Sequence, residues 1–114
     1  MGRFTYQLND GVVFTLPIGS DRVTILIPED AITVLVYAPD TLPNLLTVYV
    51  EPTRTGTTFV PLHVNGANVT IPSDRATVIT NYGFRQMQLR AQSAEAIQAR
   101  LFRVAVQCET ASGV

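Results

Sequence analysis

The chain has 114 residues, a length that supports one domain, and it carries nine acids against eight bases, all of them arginine. A net charge of −1 argues against a general nucleic-acid or anionic-membrane binder, since both need clustered positive charge. One cysteine, Cys108, forms no internal disulfide, and with the single histidine, His63, it is too little for a zinc site or a multi-histidine metal centre.

Fourteen valines and fourteen threonines, with four tyrosines and five phenylalanines, suit a pleated, half-buried surface. Phe4, Tyr6 and Leu8 alternate with Arg3, Thr5 and Gln7. Asn9-Asp10-Gly11 then predicts a tight hairpin into Val12–Leu16, because an Asp-Gly pair supplies the positive φ angles such a turn needs. Pro17 ends that strand and Gly19-Ser20-Asp21 turns the chain. Two denser strands follow, Val23–Ile27 before Pro28 and Ile32–Tyr37 before Pro39. Val23, Ile25, Ile27, Ile32, Val34 and Val36 form their core phase. Leu26, Leu35 and Tyr37, in the opposite phase, are apolar too, as in strands covered on both faces by a loop or another subunit.

Residues 38–44 form a loop with two prolines, and Leu46–Glu51 alternates cleanly up to Pro52. Thr53-Arg54-Thr55-Gly56 is a turn in which Gly56 suits a left-handed position. Thr57–Val64 reads as a strand that Pro61 places at an edge or bulge. Asn65-Gly66 is the strongest hairpin signal in the chain. Val69–Ile71 and Thr77–Ile79 flank a turn at Pro72–Arg75. Phe84–Arg90 buries either Met87 and Leu89 or its phenylalanine side, and Arg100–Gln107 closes the fold. Ser93–Ala99 is rich in helix formers and predicts a turn or two of helix capped by Ser93.

About nine strands with turn signals every 8–12 residues make a sandwich or barrel. The expected architecture is all-β: a single antiparallel β-sandwich over residues 1–109, jelly-roll-like, with at most one short helical turn and a loose tail at 110–114. No apolar stretch approaches the ~20 residues that span a bilayer. The start of the chain reaches Gln7 and Asn9-Asp10 before a signal-peptide core could form.

His63 is the only candidate general base. Ser20, Ser73, Ser93 and Ser112 sit in turns or the tail without a nucleophile-elbow sequence, so His63 reads as an ordinary edge-strand histidine. Cys108, in phase with Phe102, Val104 and Val106, reads as a small buried hydrophobe. Most carboxylates stand in turns, and neither Glu29-Asp30 nor Asp40 belongs to the oxygen-rich run a calcium loop requires. The expectation is therefore a protein that is not an enzyme and uses no metal and no cofactor.

Arg85 and Arg90 end one strand, and Arg100 and Arg103 lie on a strand expected to pair with it. Each pair is split between the two faces. They read as solvated sheet residues with acid partners or as interface arginines, which pair carboxylates bidentately. The absence of lysine is put down mainly to genome composition. Val13, Leu26, Leu35, Tyr37, Tyr49 and Phe59 all fall opposite the core phase, and a patch of that size marks association. The predicted protein interface is Leu26, Leu35, Tyr37, Tyr49, Phe59, Arg85 and Arg103.

The runs Ile32–Leu42, Leu46–Thr53, Thr55–Leu62, Gly66–Ile71, Phe84–Arg90 and Arg100–Val104 together resemble the small β-sandwich structural proteins of tailed bacteriophages, of the head decoration (cement) type. The similarity spans roughly Gly11 to Gln107 and lies in strand-and-turn texture, so no functional residue is carried over. It implies a protein on the phage head surface, assembled in the bacterial host cytoplasm. Its partners would be the major capsid protein, at junctions between capsid subunits, and further copies of itself in a trimer, with no nucleic acid and no membrane. A neck, tail or baseplate component is the near alternative. A carbohydrate-binding module is the distant one, with Tyr37, Tyr49, Tyr82 and Phe59 as available platforms but no tryptophan.

Overall fold

Eleven strands and no helix make up the described residues. The computed structural model describes residues 2–28, 31–42, 45–80, 83–95 and 98–111, the side chains of 2–12 and 107–111 excepted. The strands are β1 (Gly2–Leu16), β2 (Arg22–Leu26), β3 (Ala31–Tyr37), β4 (Leu46–Glu51), β5 (Val60–Pro61) and β6 (His63–Val64). They continue with β7 (Ala67–Asn68), β8 (Thr70–Ile71), β9 (Ala76–Thr80), β10 (Gln86–Arg90) and β11 (Arg100–Ala111).

Pairing is antiparallel throughout and builds two main sheets. One has the order β1-β11-β3-β9, and the other has β2-β10-β4-β5 with β8 also on β4. The chain ends pair with each other (β1 with β11), then β2 with β10, β3 with β9 and β4 with β5, each pair nested inside the last. The protein is a single antiparallel β-sandwich, as the succession of strand and turn signals predicts.

The core fills the space between the sheets. Leu16, Val34, Val36, Ile79, Phe102 and Val104 come from the first sheet, and Ile25, Leu46, Val48, Ile71, Met87 and Leu89 from the second; all join one buried cluster. These are the alternate residues of each strand, which is what packing two pleated surfaces face to face demands. Phe102 is the largest fully buried side chain among the described residues. In the two dense strands most of the predicted phase is found: Ile25, Ile27, Val34 and Val36 are buried, Val23 packs against the core, and Leu26 and Tyr37 are exposed. At the start of β3, where the pairing with β11 is irregular, Ala31 is buried and Ile32 is half-buried outside the core cluster.

Several local expectations are corrected. Asn9-Asp10-Gly11 makes no hairpin: β1 runs through it and pairs with β11 on both sides, with a register shift between Gln7 and Val12. A long partner strand captures both halves, so the extra residues become a bulge. Thr110 and Ala111, expected in a loose tail, pair with Arg3 and Gly2; residues 112–114 lie outside the described residues. The expected strand Thr57–Val64 is reduced to the short β5 and β6, with Pro61 on an edge strand. Asn65 and Gly66 do form the tight turn, at φ 53° and 80°, joining β6 to β7. Gly56 has no positive φ. Its role is close approach, because a Cβ there would collide with the Glu51 carboxylate.

The predicted helical turn at 93–99 is absent from its described residues, and Ala96 and Ile97 lie outside them. The backbone of Glu95 is instead bonded to the 17–21 loop, accepting from Gly19 N–H at 2.7 Å and donating to the Ser20 carbonyl at 3.0 Å. Its carboxylate pairs with Arg100 at 3.0 Å, with only 6 % and 3 % of the arginine and glutamate side chains exposed. Arg100 also donates to the Thr41 carbonyl at 3.1 Å. It is thus a buried cross-link at one end of the sandwich and not a solvated sheet residue. Nor do its strand and the Arg85–Arg90 strand pair: β11 and β10 belong to different sheets.

Two outcomes follow. Phe102→Ala removes the largest core side chain and should lower unfolding stability by about 3–5 kcal/mol in denaturant titration. Arg100→Met leaves the Glu95 carboxylate buried without its guanidinium and should cost about 3–5 kcal/mol, whereas the double variant Glu95→Gln/Arg100→Met should recover much of that loss.

Candidate functional site

Each sheet has an outer face, and the two differ in chemistry. On the four-stranded sheet, register aligns Val13, Arg103, Tyr37 and Ala76 in one row across β1, β11, β3 and β9. Ala105, Leu35 and Val78 fall in the next row, and Leu101 pairs with Thr15 beyond. Val13, Tyr37, Val78 and Leu101 are 49 %, 42 %, 63 % and 57 % exposed, so these rows are largely apolar and open to solvent, while the row beyond them, with Thr33 and Thr80, is polar. Val13, Tyr37, Leu101 and Arg103 also line a shallow depression of about 260 Å³ that reaches Pro39.

The outer face of the five-stranded sheet is polar. Its central strand, β10, turns Met87 and Leu89 to the core and Gln86, Gln88 and Arg90 outward. These glutamines are nevertheless buried. Gln86 donates to the carbonyls of Thr53 and Gly56 at 2.8 and 2.9 Å, pinning the 52–56 loop over the sheet. Buried Glu51 holds the same loop from below, accepting from the Thr53 N–H at 3.1 Å and its hydroxyl at 3.0 Å. Gln88 donates to the Thr24 hydroxyl at 2.9 Å and accepts from Arg90 Nε at 2.7 Å.

Arg90 is held in a second way. Its guanidinium lies over the Tyr49 ring, 4.0 Å from the centroid, a favourable cation–π contact. Directly across from Arg90 in the β2 register stands Arg22. Arg22 forks onto Asp21, with Nε to Oδ1 at 2.9 Å and Nη2 to Oδ2 at 3.3 Å. Around these residues lies an open cleft of about 630 Å³ that also takes in Leu45, Thr47, Thr70, Ala91 and Gln92. The hydrogen bond from Arg22, aided by its charge and that of Arg90, holds the Asp21 carboxyl below the ordinary 3.8, and Asp21 in turn raises Arg22.

The predicted interface residues divide between these surfaces. Leu35, Tyr37 and Arg103 come together on the apolar face, beside Val13. Leu26 and Tyr49 lie on the outer face of the other sheet, so the six apolar residues do not make one patch. Phe59 is half-buried in the segment before β5, and Arg85 sits half-buried at the entrance to β10, its N–H bonded to the Glu51 carbonyl. Val78 and Leu101 belong to the apolar face, and the signal for them was alternation continued through β9 and β11. Arg22 and Thr70 had no such signal, because only the register brings them beside Tyr49 and Arg90.

His63 is exposed on the β6–β7 hairpin. No group of three or more histidine, cysteine, aspartate or glutamate side chains gathers among the described residues. Tyr82, Glu29, Asp30 and Ser112 lie outside those residues, as does the Cys108 side chain. Compared with protein-family models, curated proteins and solved structures, the chain matches none.

Asp21 provides a check on the electrostatics of the cleft. A carboxyl depressed in the folded state contributes stability that is present above its unfolded pKa and lost as pH falls through its folded pKa. Its stabilising contribution should therefore be lost only at pH values below the ordinary 3.8. Carbon-detected NMR titration should place Asp21 below that value, and Arg22→Gln should return it toward 3.8.

Proposed function

We propose that this protein is a structural component of a bacteriophage virion. In this reading it is a head decoration (cement) protein that binds the major capsid protein at subunit junctions and associates with further copies of itself in a trimer. The observation that carries the reading is the apolar outer face of the four-stranded sheet. Contiguous exposed apolar surface of this kind is unusual on a monomer and marks association. Arg103, in the same row, provides the planar fork that interfaces favour. The sheet beneath is anchored by the chain termini and a continuous core, so the face is a rigid plate that can dock without reordering.

The winding of the chain supports the same class. Nested pairing of first strand with last, then inward, is the path of a jelly roll, and we read the sandwich as one. Jelly rolls recur in viral capsid and lectin domains. That is support by fold analogy, and it joins the resemblance of the strand runs to phage structural proteins.

The test uses capsids assembled without this protein. The purified chain should sediment with them and run as an oligomer by light scattering. Val78→Asp/Leu101→Asp places charge at two solvent-exposed positions, so it should leave thermal unfolding nearly unchanged while abolishing both capsid binding and self-association. A wild-type chain that stays monomeric at high concentration and ignores capsids would defeat the reading. Labelling of intact virions would place the protein on head, neck or tail.

A further inference from the structure

The cleft on the opposite, polar face is not needed by that reading, and its two arginines carry more positive charge than their one acidic neighbour there offsets. Arg90 and Arg22 are cross-strand neighbours, and like charges directly opposite on a sheet repel. Asp21 sets a single negative charge against the two, and both of its oxygens are hydrogen-bonded by Arg22. Arg90 is fixed by Gln88 at Nε and by the Tyr49 ring beneath it. Its two Nη groups find no acceptor among the described residues. A guanidinium held at its inner edge, with both outer nitrogens left without a protein acceptor among the described residues, is preorganised to grip a planar anion by two parallel bonds.

We propose that this cleft binds an acidic saccharide, with a uronate-type or sialate-type carboxylate seated on Nη1 and Nη2 of Arg90. The space, about 630 Å³, lies within the range of roughly 300–1,000 Å³ common for ligand sites and exceeds what a lone carboxylate fills. Its remaining polar lining is suited to sugar hydroxyls: the hydroxyls of Thr47 and Thr70, the Tyr49 phenol and the Gln92 amide. Among the described lining residues, Leu45 and Ala91 are the wholly apolar ones, too few for the hydrophobic pockets that anchor a peptide side chain. Tyr49 is not an open stacking platform, since Arg90 occupies one face of its ring. Recognition is carried by charge and hydrogen bonds.

The experiment is calorimetry and amide NMR on the full chain with oligosaccharides containing galacturonate, glucuronate or sialate, each beside its methyl ester. At least one acid form should bind saturably and shift the amides of Thr47, Tyr49, Thr70 and Arg90, while its ester binds far more weakly. Arg90→Lys keeps the charge but loses the fork, and it should weaken binding roughly tenfold; because it also removes the Nε bond to Gln88, its amide spectrum is first checked to be that of the folded chain. Thr70→Val, on a different strand, should weaken binding of the same acid severalfold. Absence of binding by every acid form would overturn the proposal, as would equal binding of acid and ester or undiminished binding to Arg90→Lys. A glutamate-rich peptide that binds the cleft more tightly than any saccharide would also overturn it, assigning the site to a protein partner. None of these outcomes bears on capsid binding, which uses the other face.

Discussion

The five-stranded side of the molecule depends on the burial of β10 from both directions. A central strand normally gives one face to the core and one to water. Here Met87 and Leu89 fill the core while Gln86 and Gln88 are also buried, so their amides must find partners inside the protein. Those partners are the organising contacts of the outer face. Gln86 takes two loop carbonyls, and Gln88 links Thr24 to Arg90. The 52–56 loop and the orientation of Arg90 both follow from satisfying two buried glutamines.

A comparable demand closes one end of the sandwich. Glu95 and Arg100 are a buried pair, and such a pair is favourable only if its remaining polar atoms are well placed. The Thr41 carbonyl meets one guanidinium nitrogen, but Arg100 Nε finds no acceptor among the described residues. The interaction is better understood as fixing geometry than as a large source of stability. It ties residues 91–95 to β11, while the Glu95 backbone ties them to the 17–21 loop.

The two outer faces divide the molecule's surface chemistry. Sheet register puts valine, leucine and tyrosine side by side on one and arginine, threonine and glutamine on the other. Each strand alternates between core and exterior, so a one-residue slip would exchange core for surface. The same alternation that builds the core therefore also composes the two faces.

Composition and alternation were enough to read the all-β class, most of the phase of β2 and β3, the edge position of Pro61 and the Asn65-Gly66 turn, because each depends on local backbone chemistry. The tertiary structure decided whatever depends on which strand lies beside which. It turned Asp10-Gly11 from a hairpin into a bulge, because β11 pairs with both flanks. It drew Glu95 out of a helix-forming segment, because buried Arg100 required an acid. It separated Leu26 and Tyr49 from Leu35 and Tyr37, since β2 and β4 enter one sheet and β3 the other. Alternation tells a strand which residues face outward, but only long-range pairing determines what they face outward beside.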